Sequence, residues 1–167
     1  MHTLFTIGHS NHAIGRFIEL VTRHAVELVC DVRSNPYSRF NPQFNREALM
    51  ARLEEHGIGY LFLGKELGGK PSDLADLTDD YDRFTLIAAS ERFRVGLERL
   101  LEEIKVRRTA VMCAEKDPSH CHRTFLVCRH IPEGIVIRHI LADGSIREHA
   151  KLDPEGRSWR GRQKRLL

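Results

Sequence analysis

The sequence lacks the features that mark membrane proteins and disulfide-rich secreted domains. No apolar run approaches the roughly 20 residues that a membrane-spanning helix needs. Residues 1–7 carry no basic region ahead of their apolar residues, so we expect no signal peptide. Only 4 cysteines occur in 167 residues, which is too few for a disulfide scaffold. We therefore expect a cytoplasmic protein that has no membrane partner.

Internal repeats, low-complexity tracts and obvious linkers are also absent. A length of 167 residues suits one domain, which we predict at residues 1–150, followed by a basic tail at residues 151–167. Residues 157–167 hold five basic side chains and no acidic one, although the net charge of the whole chain is only +3. Such a tail can contact nucleic-acid phosphates, and it is as often only a solvated chain end.

Apolar segments of two periodicities alternate along the chain. Nearly continuous apolar runs predict strands at residues 3–7, 27–32, 58–63, 109–112 and 135–140. Amphipathic patterns predict helices at residues 17–25, 46–56 and 90–107, with a short helical turn near residues 81–87. Asp143 and Gly144 favour a turn, after which residues 145–149 pair back as a hairpin. We predict an α/β fold, a single domain with a mainly parallel sheet flanked by helices on both faces.

Four polar loops follow predicted strands. They are residues 8–12, residues 33–45, the glycine-rich residues 64–71 and residues 113–123. We call these four loops the strand-end rim. Because the carboxyl ends of parallel strands open at one edge of a sheet, we expect the loops to converge there and to bind a ligand.

The segment from Cys113 to Arg123 concentrates reactive side chains. Asp117 and Pro118 favour the start of a helix, and a helix N-terminus attracts anions through its free N–H groups and its positive end. Arg123 adds a forked donor for phosphate, sulfate or carboxylate. In that setting Cys113 or Cys121 can have a lowered pKa and be reactive. The alternative is that both cysteines are small buried hydrophobic residues.

Residue types on the rim predict two kinds of role. A thiol beside histidines is typical of nucleophilic catalysis, so the catalytic candidates are Cys113 and Cys121, with His9 and His122 as proton carriers. Arginines and amides are typical of anion binding, and the ligand-binding candidates are Ser10, Asn11, Arg33, Arg39, Asn41, Asn45, Glu115 and Arg123. The asparagines also suit a purely turn-forming role, and Asp31 suits a strand-end carboxylate. We expect the other histidines at the surface or at an edge: His24, His56, His130, His139 and His149.

Three functions follow from these candidates. The first is a thiol-dependent enzyme that acts on a small phosphate-, sulfate- or carboxylate-bearing ligand. The second is a non-catalytic nucleic-acid-binding module that uses the same rim and the basic tail. The third is a metal site made by Cys113, Cys121 and a histidine, but no Cys-x-x-Cys pair is present. We therefore predict no metal and no other cofactor, and we leave the oligomeric state open.

Four ordered blocks of the sequence carry a family resemblance. They are residues 6–11, 31–45, 57–69 and 112–123, and they resemble the signature blocks of the bacterial and archaeal domain-of-unknown-function family 488. The resemblance spans residues 3–140 and implies that the four loops are the family's hallmark, but it implies no reaction. The Asp-Val-Arg at residues 31–33 and a cysteine on a strand-to-helix loop are also similar to rhodanese-type domains, as an analogy of fold alone.

Overall fold

Six strands form one sheet within residues 1–151, the part of the chain that this computed structural model describes. They are β1 (His2–Gly8), β2 (Leu28–Asp31), β3 (Gly59–Phe62), β4 (Thr109–Cys113), β5 (Ile135–Ile140) and β6 (Ile146–Glu148). Their order is β3-β2-β4-β1-β5-β6, with β1 to β5 parallel and β6 antiparallel to β5. The prediction of a mainly parallel sheet is confirmed. Residues 152–167, which hold most of the predicted basic tail, lie outside the described residues.

The central strands are the ones whose sequences are most continuously apolar. Every residue of β2 and β4 is buried, whereas β3 at one edge is half-buried and β6 at the other edge is exposed. Buried parallel strands have this pattern because helices cover both faces. The register sets Gly8 of β1 opposite Cys113 and Asp31 of β2 opposite Met112. The carboxyl ends of the three central strands are therefore level with one another.

Helices cover both faces of the sheet, as predicted. The helices α1 (Ile14–Arg23) and α2 (Arg46–Glu54) pack on one face through residues such as Phe17 and Leu49. On the other face lie α3 (Gly64–Leu67), α4 (Asp80–Ala88) and α5 (Glu91–Val106), with Leu67, Phe93 and Leu100 in the core. Each fully buried apolar side chain of this size contributes about 1.5–3 kcal/mol. No helix within residues 1–151 is long and apolar enough to cross a membrane.

Two segments are more helical than the sequence predicted. The short turn expected near residues 81–87 is the full helix α4, whose first turn is capped by Asp79 accepting from the backbone N–H of Asp82. The glycine-rich loop at residues 64–71 begins with α3. The sequence prediction gave only a short turn here because the pattern of α4 is weakly amphipathic. The N-cap residue Asp79 was the feature that could have indicated a full helix.

The segment after β4 is less helical than predicted. Asp117 does cap a turn, with its carboxylate accepting from Ser119 N–H at 2.9 Å. That turn is a 3₁₀ turn of three residues, Pro118–His120, and it ends where Cys121 becomes extended, with φ −138° and ψ 158°. A π-helical turn (Arg123–Val127) and a second 3₁₀ turn (Cys128–His130) follow. The prediction of a regular helix from Pro118, with an anion cradle at its N-terminus, is therefore wrong in form.

Two helical glycines offer a matched test of this packing. A Cβ at Gly96 in α5 would lie 2.3 Å from Cβ of Glu66 in α3, whereas a Cβ at Gly15 in α1 would meet nothing within 4 Å. We expect Gly96→Ala to lower the free energy of unfolding by about 1–3 kcal/mol through overpacking. Gly15→Ala should raise it by about 0.5–1 kcal/mol, because alanine favours the helix. Urea unfolding followed by far-UV circular dichroism measures both, and equal shifts of one sign would contradict the close α3–α5 contact.

Candidate functional site

An open cleft lies beyond the carboxyl ends of the central strands. The connections after β1 and β2 lead to the α1 and α2 face, whereas β4, which lies between them, continues onto the opposite face. Neighbouring strands whose connections leave on opposite faces open a crevice between them. The cleft has a volume of about 520 Å³ and is lined by Arg33, Ser34, Asn35, Gly69, Lys70, Asp80, Arg83, Phe84, Cys113, Ala114, Glu115, His120, Cys121 and His122. Side chains from three of the four rim loops line it.

The sulfur of Cys113 is the chemical centre of the cleft. Cys113 ends β4, is only 2% exposed and receives a hydrogen bond of 2.9 Å from Nη1 of Arg123. Burial alone would raise the pKa of Cys113, but a hydrogen bond from the Cys121 thiol and the charge of Arg123 lower it to about 5. The surroundings of Cys113 therefore favour its ionised form.

Arg123 is the positive partner of that thiolate. Its side chain is fully buried, and it is not among the residues that line the cleft. Nε donates to Oγ1 of Thr6 at 3.2 Å, Nη1 also donates to the carbonyl of Glu115, and Nη2 donates to the carbonyl of Lys116 at 3.4 Å. Burial opposes the charge of Arg123, while the charge of Cys113 raises its pKa. The guanidinium is thus held behind the sulfur rather than in the open cleft.

Gly8 allows the loop after β4 to fold over Arg123. A Cβ at Gly8 would lie 1.9 Å from the carbonyl oxygen of Glu115, a separation that no side chain permits. The next two residues of the chain fasten this loop, because His9 N–H donates to the Cys113 carbonyl at 2.9 Å and Ser10 N–H donates to the Ala114 carbonyl at 3.0 Å. The first rim loop therefore shapes the site through its backbone.

Cys121 completes the sulfur pair. It is 7% exposed and lines the cleft together with Cys113. Its thiol donates to the Pro118 carbonyl at 3.8 Å and lies 3.9 Å from Oγ1 of Thr124. Burial and the neighbouring Cys113 raise the pKa of Cys121. The surroundings therefore favour the neutral thiol at Cys121 and the ionised form at Cys113.

A second buried ion pair borders the cleft. Arg33 donates through Nε to Oδ1 of Asp31 at 2.9 Å and through Nη2 to Oδ2 at 2.7 Å, and Asp31 is fully buried. Tyr60 donates to the same Oδ2 at 2.7 Å, and Arg33 Nη2 also donates to the carbonyl of Phe44 at 2.8 Å. This bidentate geometry is the strong form of the pair. Asp31 therefore orients Arg33, whereas its place at a strand end had favoured a turn-forming carboxylate.

His9 is held in its neutral form beside this pair. Its Nδ1–H donates to the Ser10 carbonyl at 2.7 Å, and its Nε2 accepts from Nη1 of Arg33 at 3.2 Å. The ring stacks on Phe44, with the ring centroids 4.5 Å apart. Burial lowers the pKa of His9 to about 4, and the charge of Arg33 acts in the same direction. Both ring nitrogens are thus occupied in this arrangement.

His122 and Glu115 stand on the cleft wall. Nε2 of His122 donates to the Val32 carbonyl at 2.9 Å, and its ring packs over Gly69, where a Cβ would lie 2.8 Å from the Cβ of His122. Glu115 is exposed on the loop that covers Arg123. His122 is therefore held from both sides. Its other ring nitrogen, Nδ1, forms no hydrogen bond with another residue within residues 1–151.

A buried histidine extends the network away from the cleft. Because Oγ1 of Thr6 accepts from Arg123, its proton is directed to Nδ1 of His139 at 2.7 Å. Nε2 of His139 then faces Nδ1 of His149 at 3.0 Å. His139 is fully buried, and burial lowers its pKa to about 3. The expectation that His139 lies at a surface or an edge is wrong, because β6 and the turn after it cover β5.

The remaining ligand-binding candidates lie apart from the cleft lining. The hydroxyl of Ser10 donates to Oδ1 of Asn11 at 3.3 Å. Arg39 lies over the ring of Phe40, 4.8 Å from its centroid. The amide oxygen of Asn45 accepts from Ser38 N–H at 2.8 Å, and Asn41 begins the 3₁₀ turn Pro42–Phe44. For Asn41 and Asn45 the structure thus shows turn-forming contacts, which were the alternative prediction for these asparagines.

Sequence reasoning missed several polar residues of the two networks. Thr6, Tyr60 and His139 belong to strands whose other residues are mostly apolar. Buried polar groups in folded proteins are nearly always hydrogen-bonded, so an isolated polar residue in an apolar strand is a usable signal. Lys70 was missed because the rim loop at residues 64–71 carried no recognised motif, and Arg83 was missed because it lies in α4, which was predicted only as a short turn.

The described residues supply no metal-binding cluster. Within residues 1–151 no three His, Cys, Asp or Glu side chains come together in a way that could hold a metal ion. The third hypothesis needs a metal site made by Cys113, Cys121 and a histidine, and these residues do not form such a cluster in that part of the chain.

One comparison with known proteins gave a match. The sequence model of the family described as "Domain of unknown function DUF488" matches residues 13–129, which is more than half of the chain and includes three of the four rim loops in full. No curated protein and no solved structure matches significantly. The likeness to rhodanese-type domains therefore has no support beyond the two features named for it.

The neutral His9 predicts a dependence of stability on pH. Its pKa is about 4 in the folded protein, against an ordinary value of 6.5 for an exposed histidine, so the unfolded chain binds the proton more readily. The contribution of neutral His9 to the free energy of unfolding is fully present above pH 6.5 and falls as the pH drops toward 4. We expect His9→Gln to reduce this slope by up to about 1.4 kcal/mol per pH unit. Urea unfolding between about pH 4 and 7 tests this, with His56→Gln at the exposed surface as the matched control.

Proposed function

We propose that this chain, which belongs to the domain-of-unknown-function family 488, is a thiol-dependent enzyme. The description of the family carries no activity, so the proposal rests on the geometry of the cleft. It binds a small anionic ligand in the cleft and attacks it through the Cys113 thiolate. The proposal includes a cytoplasmic location, because a reducing compartment keeps the four free cysteines reduced.

The contact of 2.9 Å between Nη1 of Arg123 and Sγ of Cys113 carries this proposal. A thiolate, not a thiol, is the nucleophile, and it needs a positive charge or donors nearby to exist at neutral pH. A purely structural buried cysteine has the opposite character, as Cys128 illustrates, because burial raises its pKa to about 12. The pairing supports reactive chemistry at Cys113 and an inert role for Cys128.

Cationic groups on the cleft wall support an anionic ligand. Arg33 has five N–H donors, and the bonds to Asp31, Phe44 and His9 leave one Nη1–H without a partner within residues 1–151. Lys70 is exposed on the same wall and forms no ion pair with another described residue. A phosphate, sulfate or carboxylate between these two groups would stand beside the sulfur of Cys113.

His122 is the stronger candidate for the proton carrier. It lines the cleft and uses only Nε2 in the bond to the Val32 carbonyl, which leaves Nδ1 for a ligand proton. His9 uses both nitrogens inside the protein. The proposal therefore assigns Cys113 as the nucleophile, His122 as the proton carrier, and Arg33 and Lys70 to the anion.

The rate of thiol alkylation at each cysteine tests the proposal. Trypsin cleaves after lysine and arginine, so the four cysteines fall in separate peptides, residues 24–33, 109–116, 117–123 and 124–129. We expect iodoacetamide to modify Cys113 far faster than the other three at neutral pH, with a rate that titrates with a pKa of about 5. Cys30 and Cys128 are buried controls in the same protein, and slow modification of all four cysteines would contradict the proposal.

A reagent pair tests the anion site independently. Iodoacetate and iodoacetamide have similar size but differ in charge, so their rate ratio at Cys113 reports the local potential. We expect the ratio of the iodoacetate rate to the iodoacetamide rate at Cys113 to exceed the same ratio for a free thiol. This ratio should fall in Lys70→Ala and in the presence of sulfate. A ratio like that of a free thiol, together with salt-sensitive DNA or RNA binding lost on deletion of residues 157–167, would favour the nucleic-acid-binding alternative.

Arg123 is expected to set the pKa of Cys113. Arg123→Lys keeps the charge but loses the forked donors, so the apparent pKa of Cys113 should rise from about 5 toward the ordinary value of about 8.5. Thr6→Val, which removes the acceptor of Nε together with the bond to His139 but leaves the contact between Arg123 and the sulfur, should raise it less. Alkylation between about pH 5 and 9 measures both variants, and circular dichroism checks that each is folded. An unchanged pKa in both would mean that Arg123 does not stabilise the thiolate.

A further inference from the structure

Cys121 is the reactive group in the cleft that the proposed mechanism does not use. It follows the 3₁₀ turn Pro118–His120, and it belongs to the same buried cluster as Cys113 at the end of β4. Both sulfurs border the same cleft. Two cysteines, one a nucleophile and one an adjacent neutral thiol, are the pairing that thiol–disulfide chemistry requires.

We propose that Cys113 and Cys121 form a redox-active dithiol, in which Cys121 resolves an oxidised Cys113 by closing an internal disulfide. This inference rests on the proposed function, because it needs Cys113 to be the reactive thiol. The oxidant is a hydroperoxide, which reaches the sulfur through the open cleft. The reductant that reopens the disulfide is a dithiol.

The chemistry balances in two steps. The Cys113 thiolate attacks the outer oxygen of ROOH, the O–O bond breaks, and a proton converts the departing RO⁻ to ROH, which leaves Cys113 as a sulfenic acid. Once Cys113 is a neutral sulfenic acid, its charge no longer raises the pKa of Cys121. The Cys121 sulfur loses its proton as it attacks Sγ of Cys113, the S–O bond breaks, and the departing hydroxide takes up that proton and leaves as water. Sulfur is oxidised by two electrons in total, and the peroxide is reduced by two.

The surroundings of the pair favour closure between these two cysteines. Ala114, Glu115 and Lys116 stay bonded to Ser10 and Arg123. On the Cys121 side, Ser119 is half-buried and His120 is exposed, so this end of the loop can adjust as the sulfurs approach bonding distance. Cys30 lies within β2 and Cys128 is buried in the 3₁₀ turn Cys128–His130, and burial raises the pKa of both. They provide unreactive thiols inside the same molecule.

Mass spectrometry of the peroxide-treated full chain tests the inference. The protein is treated with one to five equivalents of hydrogen peroxide, denatured in the presence of iodoacetamide so that every remaining thiol is capped, and digested with trypsin. We expect peptides 109–116 and 117–123 to appear as one species joined by a disulfide, two hydrogens lighter than their sum and separated again by dithiothreitol. The peptides of Cys30 and Cys128 should carry the cap.

A substitution at Cys121 separates the two steps. Cys121→Ser keeps a hydroxyl donor but cannot form a disulfide, so we expect peroxide to leave Cys113 as a sulfenic acid that dimedone traps. In the wild type the dimedone adduct should be several-fold less abundant. Alkylation of Cys113 is measured in parallel in this variant and shows whether the thiol is still reactive.

The outcomes distinguish the inference from the proposed function. Fast alkylation of Cys113 with sulfenic or sulfinic acid but no disulfide would overturn the resolving role of Cys121 and leave the proposed function standing. Fast alkylation with no reaction toward peroxide would do the same. A Cys113 that neither alkylates nor oxidises would overturn both. A disulfide that joins Cys30 or Cys128 would also contradict the pairing.

Discussion

The buried guanidinium of Arg123 is the constraint on which the site depends. A charge with no exposed surface must be paired and hydrogen-bonded, because leaving it unpaired costs several kcal/mol. The sequence meets this demand with a thiolate, a threonine hydroxyl and two carbonyls on the loop after β4. The loop can reach over the guanidinium only because Gly8 has no side chain. One buried cation therefore explains why residue 8 is a glycine, why Thr6 lies inside an apolar strand and why the pKa of Cys113 is lowered.

The second ion pair follows the same design on the neighbouring strand. Asp31 ends β2 as Cys113 ends β4, and each anion is matched by an arginine that lies just beyond the strand end in the fold. Level strand ends bring the two pairs to one edge of the sheet, where Arg33 borders the cleft and Arg123 lies behind it. Arg33 is paired with the carboxylate of Asp31, and Arg123 is paired with the sulfur of Cys113. Asp31 is fully buried with both carboxylate oxygens hydrogen-bonded, whereas Cys113 lines the cleft, so the difference between the pairs supports Cys113 as the reacting group.

Pattern reasoning recovered the layers of this fold because buried parallel strands and amphipathic helices have distinct periodicities. The strands from β1 to β5 were each predicted within a few residues, as was α5, whose apolar stripe includes Phe93 and Leu100. The segment after β4 could not be derived in this way. Asp117 and Pro118 favour a helix start locally, but the pairing of Arg123 with Cys113 and the extended backbone at Cys121 override that preference. The burial of His139 was missed for another reason: the predicted hairpin at residues 145–149 brings His149 back toward β5, but strand pairing alone does not show that the two rings come into contact.

The pairing also has a consequence for any covalent step at Cys113. When the sulfur forms a covalent bond it becomes neutral, and Arg123 loses its counter-charge while its other donors stay fixed by Thr6 and the loop carbonyls. An uncompensated buried charge is unfavourable, so a covalent intermediate is most stable when it carries negative charge of its own close to the guanidinium. An anionic ligand supplies that charge, and a neutral one does not. A group that leaves Cys113 restores the thiolate and the original pair. Under the proposed function, the cation behind the sulfur would thus favour anionic ligands in the bound state and release of the thiolate afterwards.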